Sequence, residues 1–157
     1  MEKFQECMQA AKKAFQTADH FAYVTYPLLS DTKLIIPIAE NLYLGATSAM
    51  DAVLQYDKFY KKIDNLTDDF DIRFTIFKNE CAKRYNIQND YINLITELKA
   101  IMAYHKNSTM EFTRKSNVVL YRSNLNMKTV NLMQMKSYIA RLKQFLAKID
   151  SIAVLKK

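Results

Sequence analysis

The side chains best suited to chemistry in this chain are cations crowded towards its C-terminal end. Of 23 Lys and Arg and 16 Asp and Glu, residues 106–157 hold 11 and 2, so the preceding residues are slightly acidic. A block of that sign favours an acidic partner: nucleic acid, another protein, or the chain's own carboxylates. Arg114, Lys115, Arg122 and Lys128 cluster in one short stretch, and Lys106 precedes it. Phosphates meeting such a surface release counterions, and Tyr121 offers a ring on which a base stacks. Further along, Lys136 and Lys143 share one edge of a predicted helix, and Arg141 and Lys148 share the other. These cations, Lys106 apart, and Tyr121 are the expected nucleic-acid contacts. The plain alternative is a solvated helix face with snorkelling lysines, or neutralisation by Asp64, Asp68, Asp69 and Asp71.

Other chemistry has thinner support. His20 beside Asp19 has the make-up of a general base, but that role needs a positioned second group, and exposed polar surface is the plainer reading. His105 ends an apolar helical stripe, where it reads as a partly buried histidine closing a helix. No HxxxH or HExxH spacing is present, so no metal site is expected. Cys7 and Cys81 stand alone on apolar faces and read as core in a reducing, cytoplasmic protein. Tyr43, Tyr56 and Tyr60, with Phe59, read as a core edge or a helix–helix contact. With Gly45 as the one glycine, Gly-rich phosphate loops are excluded, and no cofactor is expected.

The elements that would position these groups are mostly helical. Half the residues are hydrophobic, and one glycine with two prolines leaves too few turn formers for a sandwich or barrel. The expected fold is all-α: a single domain over 1–157 with four to five main helices. Apolar residues at helical spacing predict a first helix over 3–25, stopped by Pro27. A second runs from 33 or 37 to 63, with a wide apolar surface and the small residues Gly45, Ala46, Ser48, Ala49 and Ala52. Those small residues admit a close neighbour, in this chain or in a symmetry mate. Thr67-Asp68-Asp69 opens a third helix, which closes near Lys83 and Arg84. A fourth covers 88–105. Ser108 to Glu111 has capping-box spacing and predicts a short helix over 109–114. A small β-hairpin follows, with strands near 117–122 and 127–130 and a turn at 123–126. Asn131 and Gln134 cap a last helix over 132–154. No stretch is long and apolar enough to span a bilayer, and no signal-peptide core is seen in residues 1–25.

Ala18-Asp19-His20-Phe21-Ala22 at the end of the first helix, followed by Ala46-Thr47-Ser48-Ala49-Met50-Asp51-Ala52, resembles HEPN-type helical bundles. Met110-Glu111-Phe112-Thr113-Arg114-Lys115 is similar to a segment of archaeal proteins that look like distant HEPN relatives. Ribonucleases of that family carry an Arg followed four to six residues later by His, and neither His20 nor His105 has such an Arg. The resemblance therefore implies a catalytically silent bundle that binds partners and pairs as a dimer, with no catalytic residue carried over.

The leading expectation is a non-enzymatic protein whose basic C-terminal surface engages RNA, DNA or a nucleoprotein such as a ribosome. The second is a homo-oligomeric or partner-binding helical module, antitoxin-like or scaffold-like, that uses the small-residue face or the Tyr-rich end. The third is a ribonuclease-like enzyme built on Asp19, His20 and His105.

Overall fold

The computed structural model describes residues 1–108, 110–122 and 126–154. The fold is predominantly helical, with five helical rods and a small antiparallel sheet, as the composition implied. The first rod is α1 (Glu2–His20), a π turn (Phe21–Thr25) and the single turn α2 (Tyr26–Leu29). A 3-10 turn at Thr32–Leu34 leads into α3 (Ile35–Phe59). The third rod is α4 (Phe70–Ile76), a second π turn (Phe77–Cys81) and α5 (Ala82–Tyr85). Then come α6 (Asn89–Asn107), strands β1 (Met110–Arg114), β2 (Asn117–Tyr121) and β3 (Met127–Asn131), and α7 (Leu132–Val154).

Pro27 does not stop the first rod. Tyr26 keeps helical angles (φ −60°, ψ −46°). A proline in a helix lacks one N–H and presses on the carbonyl four residues back. Here the preceding turn is widened to π geometry, which accommodates that conflict without breaking the rod. The chain turns instead at Ser30, whose left-handed φ of 50° lets its N–H bond the Tyr26 carbonyl at 2.7 Å. The Asp31 carboxylate accepts from the Lys33 N–H and opens the next turn. The second rod ends at Phe59 rather than 63, because Lys61 takes a φ of 58°. Asp69 caps α4 by accepting from the Ile72 N–H, as the acidic opening suggested.

The larger departure lies at 109–114. Thr109, the first residue of the expected short helix, is outside the described residues, and Met110–Arg114 is a strand. A segment of this length gains little from helix formation on its own. It gains a full ladder by pairing with β2 across the two-residue turn Lys115–Ser116, from Arg114↔Asn117 to Met110↔Tyr121. The Ser108 hydroxyl donates back to the Tyr104 carbonyl, closing α6 rather than opening a new helix. The expected hairpin is therefore the β2–β3 half of a three-stranded meander ordered β1-β2-β3. Of its expected turn, residues 123–125 lie outside the described ones.

One apolar core joins the helical rods with β2 and β3, while β1 stays outside it. α3 is its axis, and α1 lies tightly along it. The approach is close because Ala11, Ala14, Ala18 and Ala22 meet the face bearing Gly45, Ala46 and Ala49, all buried. A Cβ built on Gly45 would stand 2.9 Å from Leu142 Cδ2 and 3.6 Å from the Ala14 Cβ. The small-residue face is thus filled inside this chain. α7 buries the eight residues its periodicity marked, from Met135 to Ile152. Val118, Leu120 and Val130 seat one face of the sheet on the bundle. Among the described residues, no helix is long and apolar enough to cross a membrane.

Candidate nucleic-acid interface on the sheet

Alternation along each strand sorts the sheet into two faces. Val118, Leu120 and Val130 point into the core, so Glu111, Thr113 and Lys128 share the bundle side by register. Met110, Phe112 and Arg114 of β1, Asn117, Val119 and Tyr121 of β2, and Met127 and Thr129 of β3 form the outer face. A shallow basin of 320 Å³ lies on that face, lined by Phe112, Arg114, Lys115, Asn117, Val119, Met127 and Thr129. The lining holds two cations and no carboxylate. Phe112 is 39% exposed and Met127 60%, whereas Val119 at the basin floor is buried.

Arg114 and Lys115 reach this basin through the β1–β2 turn. Lys115 adopts a left-handed φ of 57°, the backbone state that tight two-residue hairpin turns require and that costs a non-glycine residue about 1 kcal/mol. Neither Arg114 nor Lys115 has an ion-pair partner among the described residues. Tyr121 faces the same side at the far end of the sheet, opposite Met110 and Met127.

The remaining expected contacts do not gather there. The Arg122 guanidinium lies 4.8 Å from the Tyr104 ring and the Lys128 ammonium 5.9 Å, so both cover α6. Lys136 sits 4.8 Å above Tyr23 at the first π turn. Arg141, on the other edge of α7, bonds Glu97 at 2.9 Å and lies over Tyr138. Lys143 is exposed and Lys148 half-buried on the same helix. The acidic stretch at 64–71 does not neutralise this block: Asp71 pairs with Lys99 of α6, and Asp69 caps its own helix. Lys156 and Lys157 lie outside the described residues.

Phe112, Asn117 and Thr129 escape a reading of the sequence that takes residues 109–114 as a helix. The alternation of Met110, Phe112 and Arg114 against Glu111 and Thr113 is the signal that could find them.

Two other groupings carry polar chemistry. His105 is bracketed by carboxylates, with Nδ1 2.5 Å from Glu111 and Nε2 3.7 Å from Glu40. It ties the end of α6 to β1 and α3. His20 is exposed at the end of α1, and among the described residues no hydrogen bond or ion pair links it to His105. Asp57 is fully buried at the other end of the bundle. Its oxygens accept from Arg84, from the Tyr85 hydroxyl and from Cys81 Sγ, the last at 3.1 Å. Burial, then the bond to Asp57 and its charge, push the Cys81 thiol well above its ordinary pKa. A lone Asp on an apolar face is the one trace this cluster leaves in the residue pattern. Among the described residues, no three His, Cys, Asp or Glu side chains gather to hold a metal ion.

No family model, curated protein or solved structure matches this chain.

Proposed function

We propose that this protein binds single-stranded nucleic acid on the outer face of its sheet. The observation that supports it is the basin beside Phe112, which joins exposed aromatic surface to two cations without ion-pair partners among the described residues, and has no carboxylate in its lining. Single strands are held by such pairings, with bases stacked on rings and the backbone following positive charge. Phe112 is the nearest stacking ring and Tyr121 the second. Arg114 and Lys115 take phosphates, and Asn117 and Thr129 offer hydrogen bonds to base edges or sugars. Relative to the full basic block this is a smaller site, because Arg122, Lys128, Lys136 and Arg141 are engaged with rings or a carboxylate elsewhere. The reading suits a HEPN-like bundle without the Arg–His pair, in which binding does not depend on catalysis.

The test is fluorescence anisotropy with labelled mixed-sequence RNA and DNA 12-mers across a salt series. Binding to single strands weakens with a log–log slope of about −0.7 per phosphate contact. The Arg114→Ala/Lys115→Ala variant therefore shows a slope shallower by about 1.4, with Kd raised at least about tenfold at low salt. Affinity that ignores salt, or a double variant that binds as the parent does, refutes the proposal.

A further inference from the structure

We infer that the free edge of β1 is a docking site for an extended peptide, added to the sheet as a fourth antiparallel strand. β1 is an edge strand, and all five of its residues are exposed. The two-residue turn makes Arg114 and Asn117 the closing hydrogen-bonded pair, and bonding alternates from there along an antiparallel ladder. The N–H and C=O groups of Glu111 and Thr113 therefore point away from β2.

A groove adjoins this edge on the bundle side of the sheet. A cleft of 680 Å³ runs between this edge and the start of α3, lined by Lys33, Ile36, Pro37 and Glu40 on one side and by Glu111, Phe112, Thr113 and Val118 on the other. An edge strand facing a helix across an apolar groove is the arrangement in which peptides bind by strand addition. Natural sheets blunt an exposed edge with proline, a bulge, a covering segment or charged side chains. β1 carries the charges of Glu111 and Arg114 but no proline, and its register with β2 is unbroken.

The groove also dictates the occupant's chemistry. Its middle is apolar, through Ile36, Pro37 and Val118. Glu40 and Glu111 share His105, so they mark one end. Lys33 lies about two helical turns before Glu40 and marks the other, beyond Thr113. An antiparallel strand crossing this groove places its N-terminal end near Lys33 and its C-terminal end near Glu40. The fitting segment thus has an acidic residue first, β-branched residues in the middle and a basic residue last. Phe112 borders both this groove and the outer face, but Arg114 and Lys115 line the outer face alone and Lys33 and Glu40 the groove alone, so changes at those residues separate the two sites.

The probe is a capped heptapeptide, Glu-Thr-Val-Thr-Val-Thr-Lys, whose Glu, two Val and Lys share one face of the strand, together with its charge-reversed counterpart, each titrated into the full chain by calorimetry. The first peptide binds, and the counterpart binds at least about fivefold more weakly. Thr113→Pro removes one outward N–H at an edge position where proline is tolerated, and it weakens binding at least about tenfold. Lys33→Glu leaves acidic side chains at both ends of the groove and abolishes the preference between the two peptides, which decides the matter even if the proline variant does not fold. Arg114→Ala/Lys115→Ala leaves peptide binding unchanged. The proposal is overturned if neither peptide binds at millimolar concentration. It is equally overturned if folded Thr113→Pro and Lys33→Glu both behave as the parent. A dimer in solution that Thr113→Pro converts to monomer also overturns it, because the edge then belongs to a second copy.

Discussion

Asp57 is the residue whose surroundings are most completely specified. A carboxylate with no exposure is sustained only by donors, and Arg84, Tyr85 and Cys81 supply them. Removing one partner of a buried charged pair strands the other, at about 3–5 kcal/mol. Asp57→Ala should lower stability by about that amount in urea denaturation, with no effect on the outer face of the sheet. Cys81 reports on the same cluster. Its thiol is buried and held protonated, so it should resist maleimide in the native protein and react once the chain is unfolded. Lys115 is strained for a reason that does not serve stability. A glycine at φ 57° relieves the backbone cost, so Lys115→Gly should raise stability by about 0.5–1 kcal/mol while weakening oligonucleotide binding. A variant that is both more stable and an equal binder would remove Lys115 from the site.

At the scale of elements, the close packing of α1 and α7 on α3 depends on small side chains. Gly45→Ala gains helix propensity of about 1 kcal/mol but drives a Cβ to 2.9 Å from Leu142, which is itself fully buried. The two effects nearly cancel. Gly45→Val adds two methyl groups with nowhere to go and should cost about 2 kcal/mol or more in thermal or chemical unfolding. Helix interiors are legible in the residue pattern alone, because burial of a stripe is written in every third or fourth residue; α7 illustrates this from Met135 to Ile152. Helix ends are less so. The first rod ends at Ser30 and not at Pro27 because a widened turn absorbs the proline, and nothing local announces that. β1 is hidden by a capping-box spacing whose serine instead closes α6. Its strand state comes from pairing with β2, a contact that local spacing does not encode.

At the scale of the molecule, the charge asymmetry and the proposed binding surface are different things. The cations of residues 106–154 spread over several sides of the fold: Arg114 and Lys115 on the sheet, Arg122 and Lys128 over α6, Lys136 towards the first π turn, Arg141 towards Glu97. The composition sets the charge of the segment, but it does not say which cations share a face. That depends on the register of three strands. The bundle acts as a platform that holds one small sheet, with its outer face exposed and one edge open. The most direct measurement is amide chemical-shift mapping on the isotopically labelled full chain as a single-stranded 12-mer is added. The largest changes should fall on Phe112, Arg114, Lys115, Asn117, Val119 and Thr129, with α7 nearly silent. Changes concentrated on Lys136, Lys143 and Lys148 with the sheet unmoved would contradict it.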